Sequence, residues 1–187
     1  MILNDKQIVD RIRIEKPTKD LKPHKVKISK GLSSFGYDLT LAGDVEELCS
    51  GEIDPKNFGS NVFKRKLLCI NNEKLIPDYV IIPPGGFVLG HSLEFLYIPE
   101  NVIAVCVGKS TYARCGLIVN VTPLEPGWRG QVTLEIHNTS RCSVRLYVYE
   151  GICQVLFYEG ERPATTYEDK KGKYQDQRGI VYPKGQE

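Results

Sequence analysis

From Tyr79 to Glu159 the sequence is a train of short strand-like segments: YVII, FVLGHSLEFLYI, NVIAVCV, GLIVNVT, GQVTLEIHN, SVRLYVY and ICQVLFYE. Pro-Pro-Gly-Gly, Gly, Asn and Ser set them apart. Segments this short, rich in Val and Ile and closely punctuated, hold no helical period. Many in succession fold as a barrel, sandwich or jelly roll. With 187 residues, 41% of them hydrophobic, the chain has material for one compact domain over 1–187 with a true core. The stretch 161–187 is charged, carries Gln and Gly, and reads as a mobile C-terminal arm.

Ahead of the strands, NDKQIVDRIR (4–13) reads as a short helix capped by Asn4, with Ile8, Val9 and Ile12 on one face. Residues 15–31 are rich in Lys and Pro and read as extended loop, and GLSSFGYDLTL (31–41) as strand-like. Residues 42–66 are polar and weakly patterned, and residues 42–76 suggest no role. A net charge of +2 gives no field that argues for nucleic acid or a membrane. No apolar run reaches the roughly 20 residues of a membrane helix. Asn4, Asp5, Lys6 and Asp10 interrupt any secretory leader, so a cytoplasmic protein is expected. Six cysteines without a C-x-x-C pattern are expected to be free, most as small buried hydrophobes. His24, His91 and His137 lie far apart, so no metal cage of protein ligands is expected.

Gly108-Lys109-Ser110-Thr111 starts like the end of a phosphate-binding P-loop. That motif needs a glycine five residues earlier, and Ile103 stands there, followed by the β run Ala104-Val105-Cys106-Val107. A P-loop is therefore excluded. Lys109, Ser110, Thr111 and Arg114 still gather two cations and two hydroxyls between two strands, and Ser110 and Arg114 are one helical turn apart. The cluster is either an anion site, with Arg suited to bidentate phosphate oxygens, or a solvated turn.

GQVTLEIHN alternates: Val132, Leu134 and Ile136 take one face, and Gln131, Thr133, Glu135 and His137 the other. Glu135 is a general base if that polar face packs into a cleft or subunit interface, and an ordinary surface acid otherwise. Glu125, at the tip of TPLEPGWRG, either receives a sugar hydroxyl or is a surface turn acid.

GKSTYARCGLIVNVT (108–122) followed by EPGWRGQVTLEIHN (125–138) resembles the dCTP deaminase family of the trimeric dUTPase-like superfamily. SSFGYDL (33–39), MILNDKQI (1–8), Gln154 within GICQVLF, Tyr167, and KYQDQRG (173–179) are similar to further family segments. The resemblance implies a mainly β, distorted jelly-roll or β-barrel fold of the dUTPase-like β-clip kind with a short N-terminal helix. It implies a homotrimer with active sites shared between neighbouring subunits. The implied reaction is zinc-free hydrolysis of dCTP to dUTP and ammonia, with Mg²⁺ carried on the triphosphate and dTTP as an expected inhibitor. No H-x-E…P-C-x-x-C signature is present, so the zinc-deaminase route lacks its ligands.

By the same resemblance Glu135 is the catalytic carboxylate, with Ser110 and Arg114 arranging water and substrate. Lys109, Ser110, Thr111, Tyr112, Ala113 and Arg114 touch the nucleotide and its phosphates. Thr133, Leu134 and Glu135 line the base side, and Pro123 and Glu125 stand where the family has an alanine and an aspartate. Gln154, Tyr167, Lys173 and Gln177 close on sugar and triphosphate, the arm ordering over the substrate. The Thr122–Gly127 turn is two residues shorter than the family pattern. The rival readings are a bifunctional enzyme taking dCTP to dUMP, a dUTPase, and a non-enzymatic β module.

Overall fold

The computed structural model describes residues 1–16, 26–58, 62–66 and 79–185. His24, Cys69 and much of the Lys- and Pro-rich stretch lie outside the described residues. α1 (Asp5–Arg11) is capped by Asn4: its side chain accepts from the Gln7 N–H, and the Gln7 side chain accepts from the Asn4 N–H, both at 3.0 Å. Ile8 and Ile12 are buried, but Val9, expected beside them, is 71% exposed. Adjacent helical residues diverge by about 100°, so the buried stripe runs through i and i+4 and misses i+1.

The strands are β1 (Arg13–Glu15), β2 (Gly31–Ser33), β3 (Gly36–Thr40), β4 (Glu46–Ser50), β5 (Phe63–Lys66), β6 (Tyr79–Ile82), β7 (Phe87–Tyr97), β8 (Val102–Gly108), β9 (Leu117–Asn120), β10 (Arg129–Asn138), β11 (Val144–Tyr147) and β12 (Gly151–Glu159). The short α2 (Ser110–Ala113) follows β8. One sheet runs β5-β4-β7-β10-β9 with β1 also on β7; a second runs β2-β3-β12-β8; β6 and β11 pair together. The fold is mainly β, as the strand train predicts. Strands distant in sequence are neighbours, so the sheets cross over rather than zigzag.

The strand-like stretch 31–41 is a hairpin, β2 turning into β3. Gly36 (φ +119°) makes the turn possible, since a Cβ there would lie 2.6 Å from the Val155 carbonyl oxygen. β4 and β5 appear where the hydrophobic pattern is weak. Among the described residues β5 stands at the edge of its sheet, a place that suits a sequence rich in Lys and Arg.

The inward faces of both sheets form the core, with Leu39, Leu96, Leu134, Ile136 and Phe157 all at 0% exposure. A buried polar tie joins the sheets: the Glu94 carboxylate on β7 accepts from the Thr40 N–H (2.9 Å) and hydroxyl (2.7 Å) at the end of β3. Burial pushes the Glu94 carboxyl upward against those hydrogen bonds. Cys153 is buried, whereas Cys115 and Cys142 are exposed free thiols rather than core hydrophobes, because both sit in turns.

Candidate active site

The alternation of β10 holds along its length: Val132, Leu134 and Ile136 are buried, and Gln131, Thr133, Glu135 and His137 are half-buried on the other face. That face is a wall of a cavity of about 740 Å³. Thr133 and Glu135 enter from β10, Pro123 and Glu125 from the short turn, and Tyr167, Lys173 and Gln177 from the C-terminal segment. These seven residues, read from separate parts of the sequence, therefore share one cavity. Leu134, expected to line the base side, turns its side chain into the core at 0% exposure, as strand alternation demands.

Glu135 stands in register between Leu89 on β7 and Asn120 on β9. Its Oε2 is buried without a hydrogen-bond partner, alone in this among the described residues' side chains. Burial pushes its carboxyl from 4.5 up to about 7, with only its own backbone N–H opposing. Among the described residues no cation offsets the desolvation. An unpartnered carboxylate oxygen in a cavity is a group ready to accept a proton from something placed there. Glu125 is more open, and the Lys170 ammonium donates to it at 3.2 Å.

The C-terminal segment lies against the body. Arg129 grips Asp176 with two hydrogen bonds (2.6 and 3.0 Å) and Glu168 with a third (3.1 Å). The Trp128 indole N–H donates to the Tyr174 carbonyl at 3.1 Å. Gln177 exchanges hydrogen bonds with Gln131, and the Gly179 N–H donates to the Gln131 side chain at 2.8 Å. Gly172 lets the turn close on Tyr167, since a Cβ would sit 2.1 Å from that ring. The Tyr167 hydroxyl accepts from the Tyr174 N–H at 3.0 Å. The Lys173 ammonium donates to the Lys184 carbonyl at 2.6 Å.

The 108–114 cluster is elsewhere. Ser110, Thr111 and Ala113 on α2 and Arg114 just after it are exposed, and none lines the chain's own cavity. The Arg114 guanidinium donates back to the Ser110 carbonyl at 3.4 Å, so the two do share one turn. Lys109 is an ion-pair partner, its ammonium 2.5 Å from the buried Asp38 carboxylate. Tyr112, expected against the nucleotide, is 3% exposed, and its hydroxyl accepts from the Tyr147 N–H at 3.0 Å. It pins α2 to β11, because a lone turn of helix needs a large apolar anchor. Gln154 donates to the Ser33 hydroxyl at 2.8 Å, also outside the cavity.

Residues that sequence reasoning did not select complete the cavity: Leu48, Ile53 and Phe58 from the weakly patterned region, Leu89 on β7, Trp128, and Val181 on the tail. Trp128 lies inside the quoted EPGWRG motif, as Val121 and Thr122 lie inside GKSTYARCGLIVNVT and Tyr174 inside KYQDQRG, so these lining residues carry a local signal.

The family described as dCTP deaminase-like matches residues 2–160. A dCTP deaminase of Acidobacterium capsulatum is 50% identical over 161 residues, covering 84% of this chain and 83% of its own. One from Novosphingobium aromaticivorans is 43% identical over 190 residues, covering 98% of both. Among solved structures, the 2'-deoxycytidine 5'-triphosphate deaminase of Agrobacterium tumefaciens superposes with a TM-score of 0.58 at 17% identity. The match covers 85% of this chain and 48% of that one. The dUTPase of Staphylococcus bacteriophage 80alpha gives 0.51 at 12% identity, covering 83% of this chain and 94% of that one. These two likenesses speak for the fold.

Proposed function

The chain belongs to the dCTP deaminase-like family, and on that premise we propose a mechanism for it: an enzyme that deaminates dCTP, with Glu135 as the carboxylate that activates water. The observation that carries the mechanism is the buried, unpartnered Oε2 of Glu135 in the cavity. A carboxyl held at about 7 takes a proton and returns it near neutral pH, which suits a group that acts first as base and then as acid.

Glu135 takes a proton from water as the oxygen bonds to C4 of the cytosine, and passes that proton to N3. The hydroxyl proton of the tetrahedral adduct then moves by way of Glu135 to the amino group. The C4–N bond breaks, ammonia leaves, and the uracil carbonyl forms. No zinc takes part in this scheme. Among the described residues no three His, Cys, Asp or Glu are grouped to hold a metal, and Mg²⁺ arrives on the substrate's phosphates. Lys173 and Gln177 serve the sugar and triphosphate, and Glu125 the sugar hydroxyl.

Ser110 and Arg114 reach this centre from a neighbouring copy in a homotrimer. This is supported by their exposure outside their own chain's cavity. It is also supported by the exposed apolar side chains flanking α2: Ile103 and Val107 (both 39%) and Ile118 (55%). Arg114 delivered there stabilises negative charge in the site and draws the Glu135 carboxyl downward. A cytoplasmic location is supported by the free thiols Cys106, Cys115, Cys142 and Cys153.

Incubation with dCTP and separation of products tests the reaction. dUTP and ammonia in equal amounts are expected. dUMP and pyrophosphate would instead establish the bifunctional reading, which the presence of Glu125 in the same cavity favours. Unchanged dCTP would overturn both.

A further inference from the structure

The region without an assigned role holds the far end of the tail. Tyr182 stacks on Phe58, with ring centroids 5.1 Å apart and planes 16° from parallel. The Lys64 ammonium sits 4.2 Å from the Tyr182 ring centroid and 5.4 Å from that of Phe58. The Tyr182 hydroxyl donates to the Glu46 carboxylate. Phe58 precedes β5, Lys64 lies on it and Glu46 lies on β4, so one hairpin supplies every partner of the Tyr182 ring and hydroxyl named here.

This clasp adjoins the reacting centre. Glu46 is in register with Leu89 of β7, and Leu89 with Glu135 of β10. Strand spacing puts the two carboxylate-bearing residues about 10 Å apart. Val181 and Pro183, on either side of Tyr182, line the cavity with Phe58, and the Val181 N–H donates to the Thr133 hydroxyl at 3.3 Å. The wall that closes the cavity beside Glu135 is thus tail on one side and hairpin on the other, joined by one aromatic stack. The contacts of Trp128, Arg129 and Gln131 fix the tail as far as Gly179; beyond it, the irregular backbone of 180–185 relies on the Val181–Thr133 hydrogen bond and this clasp to hold a single position.

We propose that Phe58, Lys64 and Glu46 are positioning residues for the reaction: they clasp Tyr182 and so hold the end of the tail, with the cavity-lining Val181 and Pro183 on either side of it, closed over the bound nucleoside triphosphate. This rests on the reading of the cavity as the dCTP site. The clasp raises the fraction of enzyme in the binding-competent arrangement, so its loss weakens apparent substrate affinity and leaves the chemistry at Glu135 intact.

The test uses the full chain carrying Tyr182→Ala, Phe58→Leu, both together, and Phe58→Tyr. Steady-state ammonia release from dCTP and the rate of tryptic cleavage after Arg178 without nucleotide are measured. Each single disruptive variant is expected to raise KM about tenfold with kcat within about threefold, and to speed cleavage similarly. The double variant is expected to be little worse than either single one, because one contact is lost only once. Phe58→Tyr, which keeps the ring, retains wild-type KM, whereas a merely space-filling role would spare Phe58→Leu as well. Wild-type KM and cleavage rate in Tyr182→Ala, or fully multiplicative effects in the double variant, would overturn the clasp. If the wild-type chain released no ammonia, the functional reading would fail, while the cleavage rates would still decide whether the clasp holds the tail.

Discussion

Replacing Glu135 by Gln should remove deamination and, at alkaline pH, make the protein more stable. The carboxyl moves from 4.5 in the open chain to about 7 in the fold because burial disfavours its charge. The folded state therefore holds the proton more tightly than the unfolded one. That contribution is fully present below about pH 4.5 and is lost as pH rises through about 7. At about 1.4 kcal/mol per tenfold change in proton affinity, the ceiling is about 3 kcal/mol of destabilisation in the ionised protein. Water reaching the cavity, and Arg114 from a neighbouring copy, reduce this to about 1–2 kcal/mol. Gln has nearly the same shape and no charge to desolvate. Urea unfolding at fixed protomer concentration should show Glu135→Gln more stable than wild type by about 1–2 kcal/mol at pH 8, the gap closing at about pH 4.5. The same preparation should release no measurable ammonia from dCTP. A gap independent of pH, a less stable variant at pH 8, or near-normal turnover would refute the assignment of Glu135 as a desolvated catalytic base.

Arg114→Met should lower kcat/KM by about 10²-fold or more and move its acidic limb to higher pH by about one unit, since the cation that favours ionised Glu135 is gone; pH–rate profiles check this. Refolding Ser110→Ala with Glu135→Gln in equal amounts should restore about a quarter of wild-type activity, because in a random trimer with shared sites that fraction pairs an intact serine with an intact glutamate. Sites contained within one chain would give no restoration. Asp38→Ala should cost about 3–5 kcal/mol by leaving the Lys109 ammonium buried and unpaired, and Asp38→Leu combined with Lys109→Met should recover most of it. Urea midpoints measure both.

Much of the architecture was legible because β10 and its neighbours follow a period of two that a single sequence displays. Val132, Leu134 and Ile136 against Thr133 and Glu135 is a statement about strand geometry before any contact is known. The helix cap at Asn4 was equally local. Val9 was misplaced because a helix of seven residues gives too few turns for its apolar stripe to be read sharply. β4 and β5 carry no readable period because charged residues stand where a strand would show apolar ones: Glu46 is half-buried and Glu47 buried on β4, and β5 reads Phe-Lys-Arg-Lys. The motif around Lys109–Arg114 marked residues with chemistry, but the ion pair of Lys109 with Asp38 and the burial of Tyr112 came from partners 71 and 35 positions away.

What the sequence determined by itself was the β character, the face of β10 on which Glu135 stands and the family motifs, all of which depend on neighbours within a few residues. The tertiary structure alone decided that Glu135 loses its water, that the turn, strand and tail meet in one cavity, and that the β4–β5 hairpin meets Tyr182. Those outcomes depend on which distant strands pair, and desolvation is a property of the space enclosed between them rather than of any segment of the chain.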